Sequence, residues 1–227
     1  MKVTALLPMK GNSERVPNKN LKDFYGKPLY HRVLSTLLDS KYITEIIINT
    51  DSMLLKEDIL KHFPKKVKIH DRPESIQGDM VSMNKIIEFD LNNSDGDIFL
   101  QTHSTNPLLK VQSLNDAIER MLNKGGDMFD SIFSVTKLQT RLYDEKGKPF
   151  NHNPEELLRT QDLPPLYEEN SNFYIFSKDS FFENEKKRIG KNPLMFQIDK
   201  IEAIDIDEPQ DFIIAESLFK ILRSNDL

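Results

Sequence analysis

Three basic side chains follow a short apolar segment near the start of the chain. Residues 3–7 form an apolar run of strand length, Pro8 ends it, and Lys10, Arg15 and Lys19 lie in the polar loop that follows. A buried strand that opens into a basic loop is how α/β proteins hold a polyphosphate at the carboxyl end of their sheet. The loop therefore predicts a nucleotide phosphate site. Gly11, Asn12 and Ser13 lie between the basic residues.

This loop must use side chains as well as backbone to bind phosphate. It lacks the G-x-x-x-x-G-K-[ST] motif, and its single glycine, Gly11, cannot form the G-x-G-x-x-G pattern. Lys10 and Lys19 supply ammonium charges, and Arg15 can bind a phosphate through two hydrogen bonds. The competing interpretation is a solvated surface loop with ordinary charges, which its position after the first strand disfavours.

Two carboxylates near the other end of the chain, Asp205 and Asp207, form the second candidate site. If residues 203–206 are a strand, as their pattern predicts, both side chains point to the same face. Mg²⁺ would relieve their repulsion, since it binds few carboxylates together with water and phosphate oxygens. The alternative is that Asp207 only caps the final helix and Asp205 is an exposed strand residue.

Two other segments are rich in side chains that form hydrogen bonds. One is residues 71–74, which Asp79 and Ser82 follow, and the other is residues 101–107 at the end of a predicted strand. Both are equally typical of turns. His103 lies in the second segment, but without a second ligand nearby it is a weak metal candidate, and no catalytic role is assigned to it.

Apolar runs alternate with helical patterns along the chain. Strands are predicted at residues 3–7, 45–50, 67–69, 97–101, 130–135, 172–176 and 203–206. Helices are predicted at residues 28–38, 53–63, 82–91, 113–122, where Gly125 and Gly126 supply the stop, and from 207 or 208 to 222. This alternation predicts an α/β fold, a Rossmann-like three-layer arrangement with a mostly parallel sheet. Right-handed crossovers would place the loops after the strands along one edge of the sheet.

Residues 138–168 differ from the rest of the chain. They contain more Pro, Asn, Glu and Lys and show weak periodicity. We interpret them as an excursion from one domain of residues 1–227, serving as a lid or an oligomer arm. Phe150, Leu157 and Leu158 would allow an interface there.

The bulk composition narrows the function classes. The 227 residues carry a net charge of −5 and a sequence pI near 5.6, which argues against general nucleic-acid binding. Absence of cysteine excludes disulfides and thiolate metal sites. No apolar window approaches the length that spans a bilayer. With no signal-peptide pattern at the N-terminus, the default expectation is a cytoplasmic protein with no membrane partner.

Six segments in order resemble the CMP-sugar-acid synthetases, the family of acylneuraminate, pseudaminate, legionaminate and Kdo cytidylyltransferases. PMKGNSERVPNKN resembles the family's P-A-R-x-x-S-K-x-x-P-x-K-N loop. The other five are IIINTDS, RPESIQGDMVS, LQTHSTNPLL, RTQDLPPLYEENSNFYIF and AIDIDEPQDFIIAE. The resemblance covers nearly the whole chain. It implies a nucleotidyltransferase fold of the GT-A-like kind with a projecting arm at 138–168, and hence a homodimer.

The resemblance also implies an activity, which is Mg²⁺-dependent transfer of CMP from CTP to a 2-keto sugar acid with release of pyrophosphate. Lys10, Lys19 and Asp207 stand at catalytic positions. Phosphate-loop positions are held by Lys10, Gly11, Asn12, Ser13, Arg15, Lys19 and Asn20, and positions near the cytidine by Arg72 and Ser82. Positions lining the sugar-acid pocket are Gln101, Arg159, Asn170 and Tyr174, and the metal positions are Asp205 and Asp207.

Departures from the family pattern keep alternatives open. Lys10 replaces an Arg, which keeps the charge but loses the two-pronged guanidinium. Glu14 and Arg15 replace the sialate-type Lys-Gly, and Asn172 replaces an Ala. One alternative is another acidic acceptor, such as a Kdo-like sugar or a phosphonate, or another nucleotide. A second is a non-catalytic nucleotide-binding relative.

Overall fold

The computed structural model describes residues 1–65, 67–123, 128–156 and 158–225. Gly125 and Gly126, predicted to end a helix, and Leu157 of the excursion lie outside the described residues. The strands are β1 (Val3–Leu6), β2 (Asp23–Phe24), β3 (Lys27–Pro28), β4 (Ile43–Thr50), β5 (Lys68–Asp71), β6 (Ile98–Thr102), β7 (Ser131–Leu138), β8 (Leu166–Ser177) and β9 (Pro193–Gln197). The α-helices are α1 (Leu29–Leu38), α2 (Met53–His62), α3 (Met83–Asn92), α4 (Val111–Leu122), α5 (Lys178–Glu183) and α6 (Pro209–Asn225).

Seven of these strands form one sheet in the order β5-β4-β1-β6-β8-β7-β9. Neighbouring strands are parallel except at β8, which runs antiparallel to both β6 and β7. The mostly parallel sheet predicted from the sequence is confirmed. Because β1 and β4 to β6 point the same way, the loops that follow them meet at one edge, where α/β proteins bind ligands.

Successive side chains of β1 pack into different cores, as expected for a strand covered on both faces. Ala5 packs in a cluster with residues of α1, α2 and α4. Leu6 packs with Ile87 of α3 and Phe181 of α5. The sheet therefore lies between two helical layers, and the predicted three-layer arrangement is confirmed.

The prediction of a strand at residues 203–206 is wrong. These residues form a loop that leads into α6. The Ile206 N–H donates to the carbonyl of Thr105 at 2.9 Å, and its side chain packs with Phe24, Leu29 and Phe212 outside the main sheet. The alternating apolar pattern arises from this satellite cluster and not from a strand ladder.

Several elements had no predicted counterpart. The edge strand β9 pairs in parallel with β7, and α5 follows β8 directly. The short strands β2 and β3, of two residues each, form an antiparallel hairpin. β9 has alternate exposed and half-buried residues and begins with Pro193, so it lacks the continuous apolar run of a central strand.

The excursion at 138–168 is the connection between two antiparallel neighbours. β7 runs to Leu138 and β8 begins at Leu166, so both ends of the segment belong to the sheet. An isolated bridge joins Tyr143 to Pro149 within it. Its role as a dimer arm and the single-domain organisation stay predictions.

We expect Ile206→Ala to lower the free energy of unfolding by about 2–4 kcal/mol, because it empties a fully buried position in the cluster under α6. Urea denaturation measures this change. The control is Ile213→Ala, at a side chain that is 67% exposed on α6, which should cost about 0.5 kcal/mol or less. Equal losses in the two variants would contradict the packing described for this loop.

Candidate active site

A cavity of about 550 Å³ opens at the carboxyl edge of the sheet, between the loops that follow β1, β5 and β6 and the loop before α6. Eight predicted site residues line it, namely Lys10, Ser13, Arg15, Lys19, Asn20, Arg72, Asp205 and Asp207. The remaining predicted residues, Gly11, Asn12, Ser82, Gln101, Arg159, Asn170 and Tyr174, do not. The fold therefore brings the predicted phosphate loop and the predicted metal carboxylates to one place.

Gly11 allows the loop after β1 to pass close to the start of α2. Its N–H donates to Asp51 Oδ1 at 2.8 Å, and a Cβ at this position would lie 2.8 Å from the Cβ of Ser52. Ser52 is the residue whose side chain caps α2. The glycine thus has a steric role beside the cavity, while Asn12 is an exposed residue of the same loop.

Each of the three basic residues of the loop has an acidic partner. Lys10 pairs with Asp79. Arg15 Nη2 lies 2.7 Å from Asp207 Oδ1, and its Nη1 lies 3.2 Å from Glu208 Oε1. The Lys10 and Arg15 side chains are about half exposed, and exposed ion pairs contribute little free energy. A phosphate can therefore replace these carboxylates at small cost.

Lys19 joins the loop to the segment before α6. Its side chain is only 12% exposed, and its Nζ donates to the carbonyl of Ile206 at 2.5 Å and lies 3.8 Å from Asp207. Burial lowers the pKa of Lys19, an effect that the nearby Asp207 and Asp205 oppose. Lys19 is thus a fixed charge at the base of the loop.

The carboxylate of the half-buried Asp205 is only partly compensated. Its Oδ1 is buried and has no hydrogen-bond partner among the described residues. Burial raises the pKa of this carboxyl group, and the neighbouring Asp207 raises it further, whereas a hydrogen bond from Thr105 and the charge of Lys19 lower it. A buried carboxylate is stable only when it is paired or coordinates a cation. Asp205 and Asp207 therefore form a pair that a bound cation would complete.

A buried hydrogen-bond network fixes Arg72 in the cavity wall. Its Nε donates to Asn49 Oδ1 at 2.8 Å, and its Nη2 donates to the carbonyls of Asn49 at 2.9 Å and Met9 at 3.3 Å. Asn49 Nδ2 donates to Asp90 Oδ1, which also pairs with His70 Nδ1 at 2.7 Å. Burial lowers the pKa of Arg72. Its guanidinium is oriented before any ligand arrives.

Asn20 and Ser82 hold neighbouring segments in place. Asn20 Nδ2 donates to the carbonyl of Lys10 at 3.0 Å, and its Oδ1 accepts from Ser104 Oγ at 2.6 Å. This couples the loops after β1 and β6. Ser82 is the N-cap of α3, accepting from the N–H of Asn84, and it lines a smaller adjoining cavity.

Arg159 and Asn170, predicted from the resemblance to line an acceptor pocket, lie elsewhere. Arg159 is on the connection between β7 and β8, where its exposed guanidinium forms two hydrogen bonds with Asp162, at 2.7 and 3.1 Å. Asn170 Oδ1 accepts from Ser134 Oγ at 2.6 Å, and its Nδ2 donates to Thr136 Oγ1 at 2.8 Å. Asn170 thus bonds to the neighbouring strand, next to a register shift.

Gln101 and Tyr174 are buried behind the cavity wall, where they face each other on β6 and β8. Gln101 Oε1 accepts from Arg188 Nη1 at 2.6 Å, and the Arg188 guanidinium lies 3.6 Å from the centroid of the Tyr174 ring. Burial raises the pKa of the Tyr174 hydroxyl, a donor to Glu169, to about 12. These two residues reach the cavity only through Arg188.

Arg188 is the main residue that the sequence analysis missed. It lines the cavity, yet it lies in a polar segment after α5 with no periodic pattern. His103, to which no role was assigned, also lines the cavity. Gln101 Nε2 lies 3.2 Å from His103 Nε2. Because Arg188 can only donate, it fixes the Gln101 amide so that its nitrogen donates to His103, whose Nε2 must be unprotonated.

Within the described ranges, one group of three potential metal ligands has donor atoms within 4.8 Å of one another. It consists of His31, Asp58 and His62, away from the cavity. Asp205 and Asp207 belong to no such group, so a cation bound there would take its other ligands from water or a phosphate. None of the described helices combines the length and apolar character that crossing a membrane requires.

Comparison with known proteins shows which family and which relatives the sequence resembles. A family model described as cytidylyltransferase matches residues 4–223. The chain is 30% identical over 230 residues to N-acylneuraminate cytidylyltransferase A of Danio rerio, which covers 97% of this chain and 51% of that protein. It is 25% identical over 229 residues to a pseudaminic acid cytidylyltransferase of Campylobacter jejuni, with 97% of each covered. The chain spans about half the length of the N-acylneuraminate cytidylyltransferases that it matches.

Two solved structures share the fold. One is CMP:2-keto-3-deoxy-manno-octonic acid synthetase complexed with CTP, with a TM-score of 0.70, 13% identity and coverage of 100% of both chains. The other is 4-diphosphocytidyl-2C-methyl-D-erythritol synthase from Anaerococcus prevotii, with a TM-score of 0.70, 14% identity and coverage of 96% of both. At these identities the similarity concerns the fold alone, and it agrees with the predicted Rossmann-like α/β arrangement.

His103 should make stability depend on pH. Burial, with the charges of Arg188 and Lys19 nearby, lowers the pKa of His103 to about 4. Between its ordinary pKa of about 6.5 and pH 4, the unfolded chain binds a proton that the folded protein excludes, so the free energy of unfolding falls as pH falls.

Between pH 7 and pH 5, we therefore expect the free energy of unfolding to fall by about 1–2 kcal/mol more in the wild type than in His103→Asn. Urea denaturation at both pH values measures the difference. The control is His152→Asn, in the β7–β8 connection, which should follow the wild type. A wild-type pH dependence in the His103 variant would contradict a buried neutral histidine.

Proposed function

Because the chain belongs to the cytidylyltransferase family, we propose that it transfers the CMP group of CTP to a 2-keto sugar acid and releases pyrophosphate. The observation that carries the proposal is one cavity that holds both exchangeable cations and a carboxylate, Asp205, whose buried Oδ1 has no hydrogen-bond partner among the described residues. Transfer of a nucleotidyl group needs both, since negative charge must be neutralised at the leaving phosphates and at the reacting phosphorus.

The phosphate half of the cavity is the loop after β1. Lys10 and Arg15 would exchange their carboxylate partners for the β- and γ-phosphates of CTP, and Lys19 would add a fixed charge at the base. These side chains would then stabilise the departing pyrophosphate. The buried network holds Arg72 in the wall beside them, where the resemblance places the cytidine.

The fit of Mg²⁺ rests on Asp205 and Asp207. The orphaned Asp205 Oδ1 and the adjacent carboxylate of Asp207 are the hard oxygen ligands that this ion takes in small number. When bound, Mg²⁺ would supply charge neutralisation and a lower pKa for the acceptor hydroxyl. Arg15 would leave Asp207 for the phosphates, which frees that carboxylate for the ion.

The acceptor class comes from the named relatives. Those at 25–30% identity act, by their names, on N-acylneuraminate or pseudaminic acid, and both are 2-keto sugar acids that carry a carboxylate. The acceptor positions that the resemblance gives are buried or outside the cavity, so the particular sugar acid does not follow from them. A homodimer and a cytoplasmic location stay predictions.

The direct test is pyrophosphate release from each of the four NTPs with Mg²⁺, against a panel of N-acetylneuraminate, pseudaminate, legionaminate and Kdo. We expect release with CTP and at least one sugar acid, and little release with the other nucleotides. Release with a different nucleotide would contradict the CTP assignment. Binding of CTP without release on any acceptor would favour a non-catalytic nucleotide-binding protein.

Asp207→Asn should lower kcat at least about 100-fold, because it removes a charge that the transition state needs. Steady-state pyrophosphate release measures the loss. The matched control is Glu208→Gln, which breaks the other ion pair of Arg15 and should change kcat less than about fivefold. Near wild-type activity in the Asp207 variant would contradict the metal assignment.

A further inference from the structure

Arg188 lies where two cavities meet. It lines both the main cavity and the adjoining one of about 310 Å³, which Ser82, Met83, Glu169 and Lys187 also line. The phosphate loop follows β1, whereas Arg188 contacts Gln101 of β6 and Tyr174 of β8, the next two strands of the sheet. Arg188 therefore lies on the side of the cavity under β6 and β8, where it also reaches the adjoining cavity.

The guanidinium of Arg188 is held in a fixed orientation. It stacks on the ring of Tyr174, 3.6 Å from the centroid, and donates one hydrogen bond to Gln101 Oε1 at 2.6 Å. Gln101 and Tyr174 are directly opposite each other on paired strands and are fully buried. The entropic cost of ordering this side chain is therefore already met before a ligand binds.

Its charge is less compensated than that of the other cations of the cavity. Lys10, Arg15 and Lys19 each have a carboxylate within 4 Å, whereas none of the described residues places one that close to Arg188. Arg72 also lacks one, but it donates three hydrogen bonds to protein oxygens. Arg188 donates one, so most of its five N–H groups face neither a carboxylate nor a carbonyl.

The charged residues around Arg188 have other partners and do not neutralise its guanidinium. The charge of Glu169 acts on Arg188, but the Glu169 carboxylate accepts from the Tyr174 hydroxyl. Lys187 pairs with Glu185 at 2.7 Å. His103 is neutral and accepts from Gln101. A half-buried guanidinium in this setting needs an anionic ligand, because burying an unpaired charge is costly.

We infer that Arg188 binds the carboxylate of the acceptor, with the planar guanidinium meeting a planar carboxylate through two hydrogen bonds. This inference rests on the proposed function, in which the acceptor is a 2-keto sugar acid. The cavity then has a phosphate end at Lys10, Arg15 and Lys19 and a carboxylate end at Arg188. Arg159, which the resemblance assigns to the acceptor, forms two hydrogen bonds with Asp162 and does not line the cavity.

The test compares Arg188→Gln and Arg188→Lys with the control Arg223→Gln, at an exposed arginine of α6 that does not line the cavity. Calorimetry measures binding of each sugar acid of the panel with CMP and Mg²⁺ present, because CMP has no leaving group and no transfer follows. Pyrophosphate release gives KM for the sugar acid and for CTP separately. The same titrations are repeated with the methyl esters of the sugar acids, which lack the carboxylate charge.

Arg188→Gln should weaken binding of the sugar acid, and raise its KM, at least about 30-fold. Arg188→Lys should lie between this variant and the wild type, because it keeps the charge and loses the planar pair of donors. KM for CTP should stay within about twofold, which also shows that the variant is folded. The methyl ester should bind weakly and equally to the wild type and to Arg188→Gln. The control Arg223→Gln should behave as the wild type.

The outcomes separate this inference from the proposed function. Sugar-acid binding that depends on Arg188, without pyrophosphate release, supports the subsite and contradicts the transferase activity. Pyrophosphate release with unchanged sugar-acid binding in Arg188→Gln overturns the subsite alone. A loss confined to CTP shows that Arg188 contacts phosphate, which also overturns it, as does a wild type that binds no sugar acid.

Discussion

The site depends on one connection, between the loop after β1 and the loop before α6. Lys19 Nζ donates to the carbonyl of Ile206, 187 residues away in sequence, and Arg15 pairs with Asp207 beside it. The Ile206 N–H donates in turn to Thr105 after β6. Three loops from distant parts of the chain thus share one short segment, and cations and carboxylates are brought together by backbone contacts that a ligand does not have to break.

These contacts determine which charged groups of the cavity are paired. The exposed cations are neutralised by carboxylates that a triphosphate can replace, whereas the buried Oδ1 of Asp205 accepts no hydrogen bond from the described residues. Ligand binding would therefore exchange weak surface ion pairs for stronger ones and would supply the cation that Asp205 lacks. Other side chains of the cavity are fixed and surround the exchangeable ion pairs of Lys10 and Arg15. Arg72 and Arg188 are each oriented by hydrogen bonds to buried residues, so the cavity is largely preorganised.

The sequence predicted what depends on local pattern. Apolar runs such as residues 46–48 identify the central strands. The basic loop and the two aspartates are two separate candidate sites in the sequence, and the fold brings them to one cavity. The prediction that a strand places Asp205 and Asp207 on the same face is wrong, since residues 203–206 form a loop that packs on a satellite cluster. Arg188 could not be predicted because its role comes from the pairing of Gln101 with Tyr174, a long-range contact. Arg159 was placed by resemblance, and its ion pair with Asp162 is a property of this chain.

The chain belongs to the cytidylyltransferase family, and the reaction that we propose for its cavity is transfer of a nucleotidyl group. The most direct measurement is ³¹P NMR of the protein with CTP, Mg²⁺ and a sugar acid that it binds. We expect a new phosphodiester resonance from the CMP-sugar, rising together with pyrophosphate in equal amounts. Formation of CDP with inorganic phosphate, or of free CMP as the first nucleotide product, would contradict the claim that the α-phosphorus is transferred to the acceptor.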